Sequence, residues 1–466
     1  MLNIKIDSGS FRDSSGRVYI DSSGRIYRTI MPCAEKRYSK LKISGLLEEI
    51  IEKKMLVNTW ELENNLIEEC SYFLEHEKLP IITYPYEWTP SQLKLAAIFH
   101  IDFQLYLLEK GWTLTDATAF NIQFIPSTGD PIFIDLLSIR PYVEGEYWIG
   151  QNQFCEQFLN PLLLYYKLKI PFNDIYKGTM TGVSNSFISK ILPLHKYFSP
   201  TLMTNIILPS IIQDKSTKKQ KKNSEQKLKT AHPLPKYALE KILINIKNYI
   251  INLDVTDKRT STWSEYQRNN TYTLESCKVK REFISEFCSS VKSHTLWDIG
   301  CNSGEYSLIA LESGASNVIG IDADIEALDL AYHRAKSTKY NFTPVYSDLS
   351  NPSANQGWRL NERTELYERS KPDSILALAL IHHLVIGKNI PMYDVIDWIT
   401  SIASQGVIEF VGKKDETVIE MLAFRDDIFK NYTVELFESY LSDKAKIIKK
   451  TNIPNSERVI YWYENY

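Results

Sequence analysis

The chain lacks any C-x-x-C pair, any apolar run long enough to cross a bilayer, and any large excess of one charge. Six cysteines, at positions 33, 70, 155, 277, 288 and 301, are scattered through 466 residues. Neither a zinc cluster nor a disulfide framework is indicated, and a reducing compartment suits them. The longest apolar candidate, Ser374 to Ile386, falls short of the ~20 residues that span a membrane and carries two histidines. The opening, MLNIKIDSGS, has no basic region followed by an apolar core, which argues against a cleaved secretory signal. A formal charge of -3 gives no global attraction to nucleic acid or acidic lipid, so any such contact must be local. The expectation is a cytoplasmic protein with no transmembrane segment and no nucleic-acid partner. At roughly 150 residues per domain its length allows about two or three folding units.

What is present divides the chain. DSSGRVYI at 13 to 20 is echoed by DSSGRIYR at 21 to 28, polar glycine turns alternating with β-branched and aromatic residues, which predicts a small antiparallel sheet. Leu93, Ala97, Ile101, Leu105 and Leu108 recur at helical intervals between Ser91 and Lys110, and Gly111 ends that helix. A strand, a turn at Ser127 to Asp130 and the apolar strand PIFIDLL follow. Residues 214 to 230 hold seven lysines without interleaved aromatics, so they read as a solvated connector, not a base-stacking surface. The domain plan is therefore an α+β unit at 1–213, a lysine-rich linker at 214–236 and a second domain at 237–466. The amphipathic pattern of Leu239, Ile242, Leu243, Ile246, Ile250 and Leu253 is assigned to the entry of the second domain.

From His294 onward the short apolar segments TLWDIG, NVIGID, FTPVYSD, DSILALAL and GVIEFV alternate with helical patterns. Parallel strands need crossover helices, so this predicts a doubly wound, mainly parallel Rossmann-like sheet. The tail KIIKK and RVIYWY adds two strands joined by a hairpin. In DIGCNSGEYS a strand runs into a glycine turn and then a helix, the arrangement of a nucleotide-type pocket. Asp322 ends the next strand, placed to accept hydrogen bonds from ribose hydroxyls, and Asp348 closes the one after. A dinucleotide usually takes G-x-G-x-x-G, whereas this turn reads Gly300-x-x-x-Gly304. Acids at three successive strand ends suit a ligand carrying a sulfonium and an ammonium better than one carrying a diphosphate.

DIGCNSGEYS, GIDAD and YSDLS resemble the first three motifs of class I S-adenosylmethionine (SAM)-dependent methyltransferases, whose sheet has seven strands. The resemblance implies that Gly300 and Gly304 line the methionine end and that Asp298 orients the amino group. It implies further that Asp322 holds the ribose and Asp348 the adenine amino group, with Cys301, Asn302, Ala323 and Leu349 in the same cofactor set. WSEYQRNNTY (263 to 272), LALALIHHLVIGKNIP (376 to 391), VIEFVGKKD (407 to 415) and YPYEW (84 to 88) extend the likeness to a bacterial two-domain family that includes a rhizobial host-range nodulation protein. That family brings no established acceptor; a small molecule or glycan is expected. His382 and His383, just after the fourth strand, are the candidate catalytic bases, since a hydroxyl acceptor benefits from one. Trp263, Tyr266 and Tyr272 are read either as a cover for the cofactor or as a docking segment.

Upstream, TDATAFNIQFIPSTGDPIFIDLL resembles the catalytic loop and metal-binding segment of the protein-kinase-like fold. The resemblance implies Asp116 as proton acceptor and Asn121 and Asp135 as magnesium ligands on ATP. Leu114 and Thr115 depart from the usual His-Arg pair, Leu137 stands where a glycine is usual, and no G-x-G-x-x-G precedes. Lys36, Lys40 and Lys42 are all candidates for the phosphate-binding lysine. An active kinase, a shell that binds without chemistry, and a chance spacing all stay open. The alternatives to a methyltransferase alone are a bifunctional kinase–methyltransferase modifying a cell-envelope polysaccharide, and a non-catalytic SAM- or nucleotide-binding protein.

Overall fold

The computed structural model describes residues 4–63, 67, 69–193, 199–207, 233–253, 274–423 and 425–466. The lysine-rich run at 214–230 and the aromatics Trp263, Tyr266 and Tyr272 lie outside them. The described residues form two compact units. The first holds residues up to 125, then 130 onward through the described stretch ending at 253, together with Asn355–Thr364. The second holds Pro126–Gly129, the described residues from 274 to 354, and Glu365–Tyr466.

In the first unit, β1 (Ile4–Ile6), β2 (Val18–Asp21), β3 (Ile26–Ile30), β4 (Thr59–Leu62) and β5 (Tyr72–His76) form an antiparallel sheet in the order β1-β2-β3-β5-β4. The echoed octapeptides supply the β2–β3 hairpin, with Asp21 Oδ1 accepting from the amides of Ser23 and Arg25 to shape the turn. Helix Pro90–Glu109 begins at a capping box, Thr89 Oγ1 accepting from Gln92 N while Gln92 Oε1 accepts from Thr89 N. Its buried residues join the core, and Gln104 ties it to β6 (Trp112–Leu114) through the Leu114 amide. Then come β7 (Ile122–Ile125), β8 (Asp130–Phe133) and β9 (Ile139–Pro141); β7 pairs with β8 and β6 with β9.

The helix Lys236–Ile251 differs from its expected assignment. Its apolar stripe, Leu239, Leu243, Ile246 and Ile250, is buried in the core of the first unit. Lys94 Nζ donates to Leu253 O at 2.6 Å beyond its end. Amphipathic spacing located the face of this helix, but nothing in that spacing says which core will cover it.

The second unit is built on β10 (Thr295–Ile299), β11 (Asn317–Asp322), β12 (Phe342–Tyr346), β13 (Ser374–Ala377), β14 (Gln405–Val411), β15 (Ala445–Asn452) and β16 (Arg458–Asn465). Their order is β12-β11-β10-β13-β14-β16-β15; the first five run parallel, and the tail hairpin closes the sheet antiparallel. The expected seven-stranded, doubly wound arrangement is thus present. The parallel strands are covered on both faces, which is why they read as apolar runs without alternation. Gly320 sits inside β11 because a Cβ there would come within 2.5 Å of the Phe342 ring and 2.9 Å of Cys301 Sγ. Strand order reverses at β10, between β11 and β13, and such a switch point opens a crevice beyond the strands' carboxyl ends.

Candidate functional site

The crevice of the second unit holds a cavity of about 720 Å³ at the carboxyl ends of β10 to β13. Its wall starts in the turn after β10. Gly300 and Gly304 have φ of 78° and 72°, and Asn302, at 49°, is the non-glycine type that best tolerates this region. The amides of Gly300 and Cys301 donate to Ile321 O, at 2.8 and 3.2 Å, so the turn is tied to β11 before the helix Glu305–Glu312 begins.

Asp298, Gly300, Cys301, Asn302, Asp322, Ala323, Asp348 and Leu349 all line the cavity, as do His382 and His383. Gly304 does not: a Cβ on it would lie 3.1 Å from Ala331 Cβ, so this glycine lets the helix after the turn pack against Ile325–Thr338.

The three acids occupy different environments. Asp298 is buried and accepts from Ser307 Oγ at 2.6 Å; burial pushes its pKa up to about 6 against that bond. Asp322 Oδ2 accepts from Asn302 N at 2.7 Å and Oδ1 from Asp324 N at 2.8 Å. Burial again outweighs these bonds and pushes its pKa up to about 6. Burial raises Asp348 as well, but Ser350, through both amide and hydroxyl, and Lys388, at 3.3 Å, outweigh it and leave its pKa lowered.

These shifts carry a pH dependence of definite sign. Asp298 and Asp322 are raised in the folded chain, so their contribution to the stability of the unliganded protein is present below the unfolded carboxylate pKa and lost as pH rises through about 6. A cationic ligand makes the opposite demand, because it needs the ionised acids. Its affinity is expected to fall roughly tenfold per carboxylate between pH 7 and pH 5. Calorimetric titration with SAM across that range checks this; a flat profile would show that the acids do not face the ligand's charge.

Where the chain leaves β13 the two histidines lie against each other in the cavity wall, ring centroids 4.1 Å apart. His382 is 1% exposed, and its Nδ1 has no hydrogen-bond partner among the described residues. Burial, and then the charge of Arg458, lowers His383 to about 4; burial, then His383, Arg458 and Lys280, lowers His382 as well. Both imidazoles are neutral near pH 7.

The motif reading missed the charged groups beside them. Lys280, from helix Leu274–Val291, pairs with Glu409 of β14 at 2.6 Å, with side-chain exposures of 2% and 0%. Arg458, opening β16, donates from Nε and Nη2 to Asp415 at 2.6 and 3.1 Å. Lys280 and Arg458 line the cavity, while Glu409 and Asp415 stand outside its wall. The only signal in the sequence is a charged residue inside the apolar run GVIEFV, since a buried strand carboxylate requires a cation.

In the first unit Asp116, Asn121 and Asp135 are also gathered. Asn121 Nδ2 stands 3.5 Å from Asp116 Oδ1 and 3.4 Å from Asp135 Oδ2. Ser138 Oγ contacts Asp135 Oδ2 at 2.6 Å and Asp116 Oδ1 at 3.1 Å. Burial, and then Asp135, pushes Asp116 up to about 6. The cation on Asp135 is Arg28 of β3, at 2.6 Å, and not Lys36, Lys40 or Lys42. Lys42 pairs with Glu61 and Lys40 lies over the Trp112 ring. Both oxygens of Asp135 are engaged, and Asn121 turns its amide N–H₂ to the acids. That arrangement does not fit the implied divalent metal, because the Arg28 guanidinium occupies the Asp135 carboxylate and its charge opposes a second cation there.

No family model matches the chain. Nodulation protein NoeA of Rhizobium meliloti (strain 1021) is 41% identical over 461 residues, covering 98% of this chain and 95% of that one. Among solved structures, the PH0226 protein from Pyrococcus horikoshii OT3 is 13% identical over 43% of this chain and 98% of its own, with a TM-score of 0.31. The N-methyltransferase NodS from Bradyrhizobium japonicum WM9 is 12% identical over 41% of this chain and 97% of its own, with a TM-score of 0.29. No helix of the described residues is long and apolar enough to cross a membrane.

Proposed function

The chain belongs to the family of the nodulation protein NoeA, and on that footing we propose that its second unit transfers a methyl group from SAM to a small-molecule or glycan acceptor. The observation that carries this reading is the row of three carboxylates, Asp298, Asp322 and Asp348, on three adjacent parallel strands facing one cavity beside a glycine turn. A diphosphate would meet repulsion there; a sulfonium and an ammonium would not. The cavity's size falls within the range of small-ligand sites, roughly 300–1,000 Å³.

SAM, when bound, supplies an electrophilic methyl group. The chain's part is to hold donor and acceptor in line, which can be worth up to ~7–11 kcal/mol of barrier. Asp298 suits the amino group, Asp322 the ribose hydroxyls and Asp348 the adenine amino group. The histidines line the same cavity after β13, where a neutral imidazole can take a proton from a hydroxyl. Co-purification with SAM followed by mass spectrometry of cell extracts tests the reading; a product heavier by one methyl group is expected.

Replacing His383 with glutamine tests the base separately. Turnover is expected to fall by about 10²-fold or more, while the Kd for SAM stays within about twofold. Turnover equal to wild type would leave positioning, without a base, as the source of rate.

A second reading concerns the first unit. The convergence of Asp116, Asn121, Asp135 and Ser138 around Arg28 supports a shell that binds a nucleotide or a hydroxylated acceptor without a metal. Incubation with labelled ATP, magnesium and cell-envelope glycans separates it from a kinase. ATP bound without label transfer is the expected result. Transfer abolished by Asp116→Asn would instead favour the bifunctional reading.

A further inference from the structure

We propose that the hairpin running from Gln356 to Arg363 in the first unit docks on an anionic membrane surface, with Trp358 and Leu360 entering the interface and Arg359 and Arg12 meeting headgroup phosphates. This goes beyond the methyl-transfer reading and does not depend on it. A formal charge of -3 gives the chain no global attraction to acidic lipid, so such contact needs a local patch.

The segment Asn355–Thr364 clusters with the first unit. A single antiparallel bridge closes the hairpin, Gln356 N donating to Arg363 O at 2.9 Å and Arg363 N to Gln356 O at 3.1 Å. Gly357 has a φ of 81°, and a Cβ there would come within 2.5 Å of Glu362 Cβ. Arg359 and Leu360 follow at 59° and 54°, two successive non-glycine residues in the left-handed region, where side chains are strained. Glu362 fastens the turn: it accepts from Arg12 Nε and Nη2 at 3.0 Å each and from Trp358 N at 3.1 Å. The Arg12 guanidinium also lies over the Phe11 ring, 4.8 Å from its centroid. Held this way, Trp358 is 65% exposed and Leu360 70%, and Phe11 is exposed beside them.

Single apolar residues on a surface are ordinary, but two on a strained and fastened turn, with a third at its clasp, form a patch. Charge and size select its partner. Glu362, the one acid of the hairpin, is buried and paired, so Arg359, Arg363 and Arg12 leave the tip positive. Trp358, Leu360 and Phe11 together offer on the order of a few hundred Å². A stable protein interface takes about 800 Å² from each partner, so the tip is too small for a second copy of the chain. A bilayer interface needs no complementary surface; it accommodates an indole at headgroup level and places phosphates against arginines.

Co-sedimentation of the full chain with vesicles tests the proposal, comparing phosphatidylcholine alone with a mixture containing about one-third phosphatidylglycerol. Partition onto the anionic vesicles is expected to exceed that onto the neutral ones by about tenfold or more, and to weaken as salt rises from about 0.05 to 0.5 M. Trp358→Ser/Leu360→Ser should lower anionic partition by about tenfold or more, and Arg359→Gln by about fivefold. Circular dichroism checks that each variant folds; should the double variant fail, Arg359→Gln carries the comparison. A wild type that ignores anionic vesicles, or folded variants that partition as the wild type does, would overturn the proposal. A concentration-dependent dimer in sedimentation velocity, lost in the double variant, would assign the patch to a second copy and overturn it as well.

Discussion

Replacing Asp322 with alanine is expected to remove measurable SAM binding. The side chain ends β11 and uses both oxygens, one on the Asn302 amide at 2.7 Å and one on the Asp324 amide at 2.8 Å. It therefore ties the glycine turn to the start of the helix Ile325–Thr338 while presenting a carboxylate to the cavity. Alanine removes the anchor of the turn and the proposed ribose acceptor together. Two hydrogen bonds to a charged group, at about 1.5–3 kcal/mol each, correspond to roughly 10²–10⁴-fold in Kd. Asparagine, which keeps one acceptor oxygen, should fall between alanine and wild type. Calorimetry with SAM measures both, with circular dichroism as the control for folding. Undiminished binding by a folded Asp322→Ala protein would remove the basis of the cofactor assignment.

The parts of this site that were legible in the sequence are the parts fixed by backbone chemistry. A turn with φ near 75° at two positions needs glycine there, so DIGCNSG announced itself, and Asp322 and Asp348 were found because they end or closely follow apolar strands. Gly304 shows the limit of that logic. A sharp glycine turn was legible, but what a glycine in it packs against depends on what lies across from it, for Gly304 Ala331. The doubly wound, mainly parallel sheet followed from alternating strands and helices, whereas the destination of the helix Lys236–Ile251 did not, because an apolar stripe carries no address.

Arg28 and Lys280 were missed for a different reason. Each is set by pairing across long sequence separation, Arg28 to Asp135 and Lys280 to Glu409. A cation in a strand such as IYRTI, or in a helix such as VKREF, looks like a solvated face until the partner acid is known to be buried. Position alone pointed to Lys36, Lys40 and Lys42 for the first unit. The sheet instead brings Arg28 to Asp135 from β3, with His76 of β5 close enough for the guanidinium to act on it. Burial, then Arg28, lowers His76 to about 3, so this unit too holds a neutral imidazole beside its acids.

Glu409→Leu is expected to destabilise the second unit by about 3–5 kcal/mol, the scale for leaving one member of a buried ion pair uncompensated. Lys280 and Arg458, both only 2% exposed, would lose the carboxylate that stands 2.6 and 3.8 Å from them. Arg458 keeps Asp415, so the uncompensated charge falls mainly on Lys280. Replacing the pair together, as Lys280→Met/Glu409→Leu, should bring stability back to within about 1–2 kcal/mol of wild type, because hydrophobic substitutes of similar volume avoid the desolvation of both charges. The single variant should also show a pH signature. A lysine buried without its partner has a depressed folded pKa, so the unfolded chain binds more protons and stability rises with pH. Urea midpoints followed by tryptophan fluorescence at pH 7 and pH 9 are expected to converge toward wild type at the higher pH. A cost below about 1 kcal/mol, unchanged with pH, would mean that water reaches Lys280 and that the pair is not desolvated.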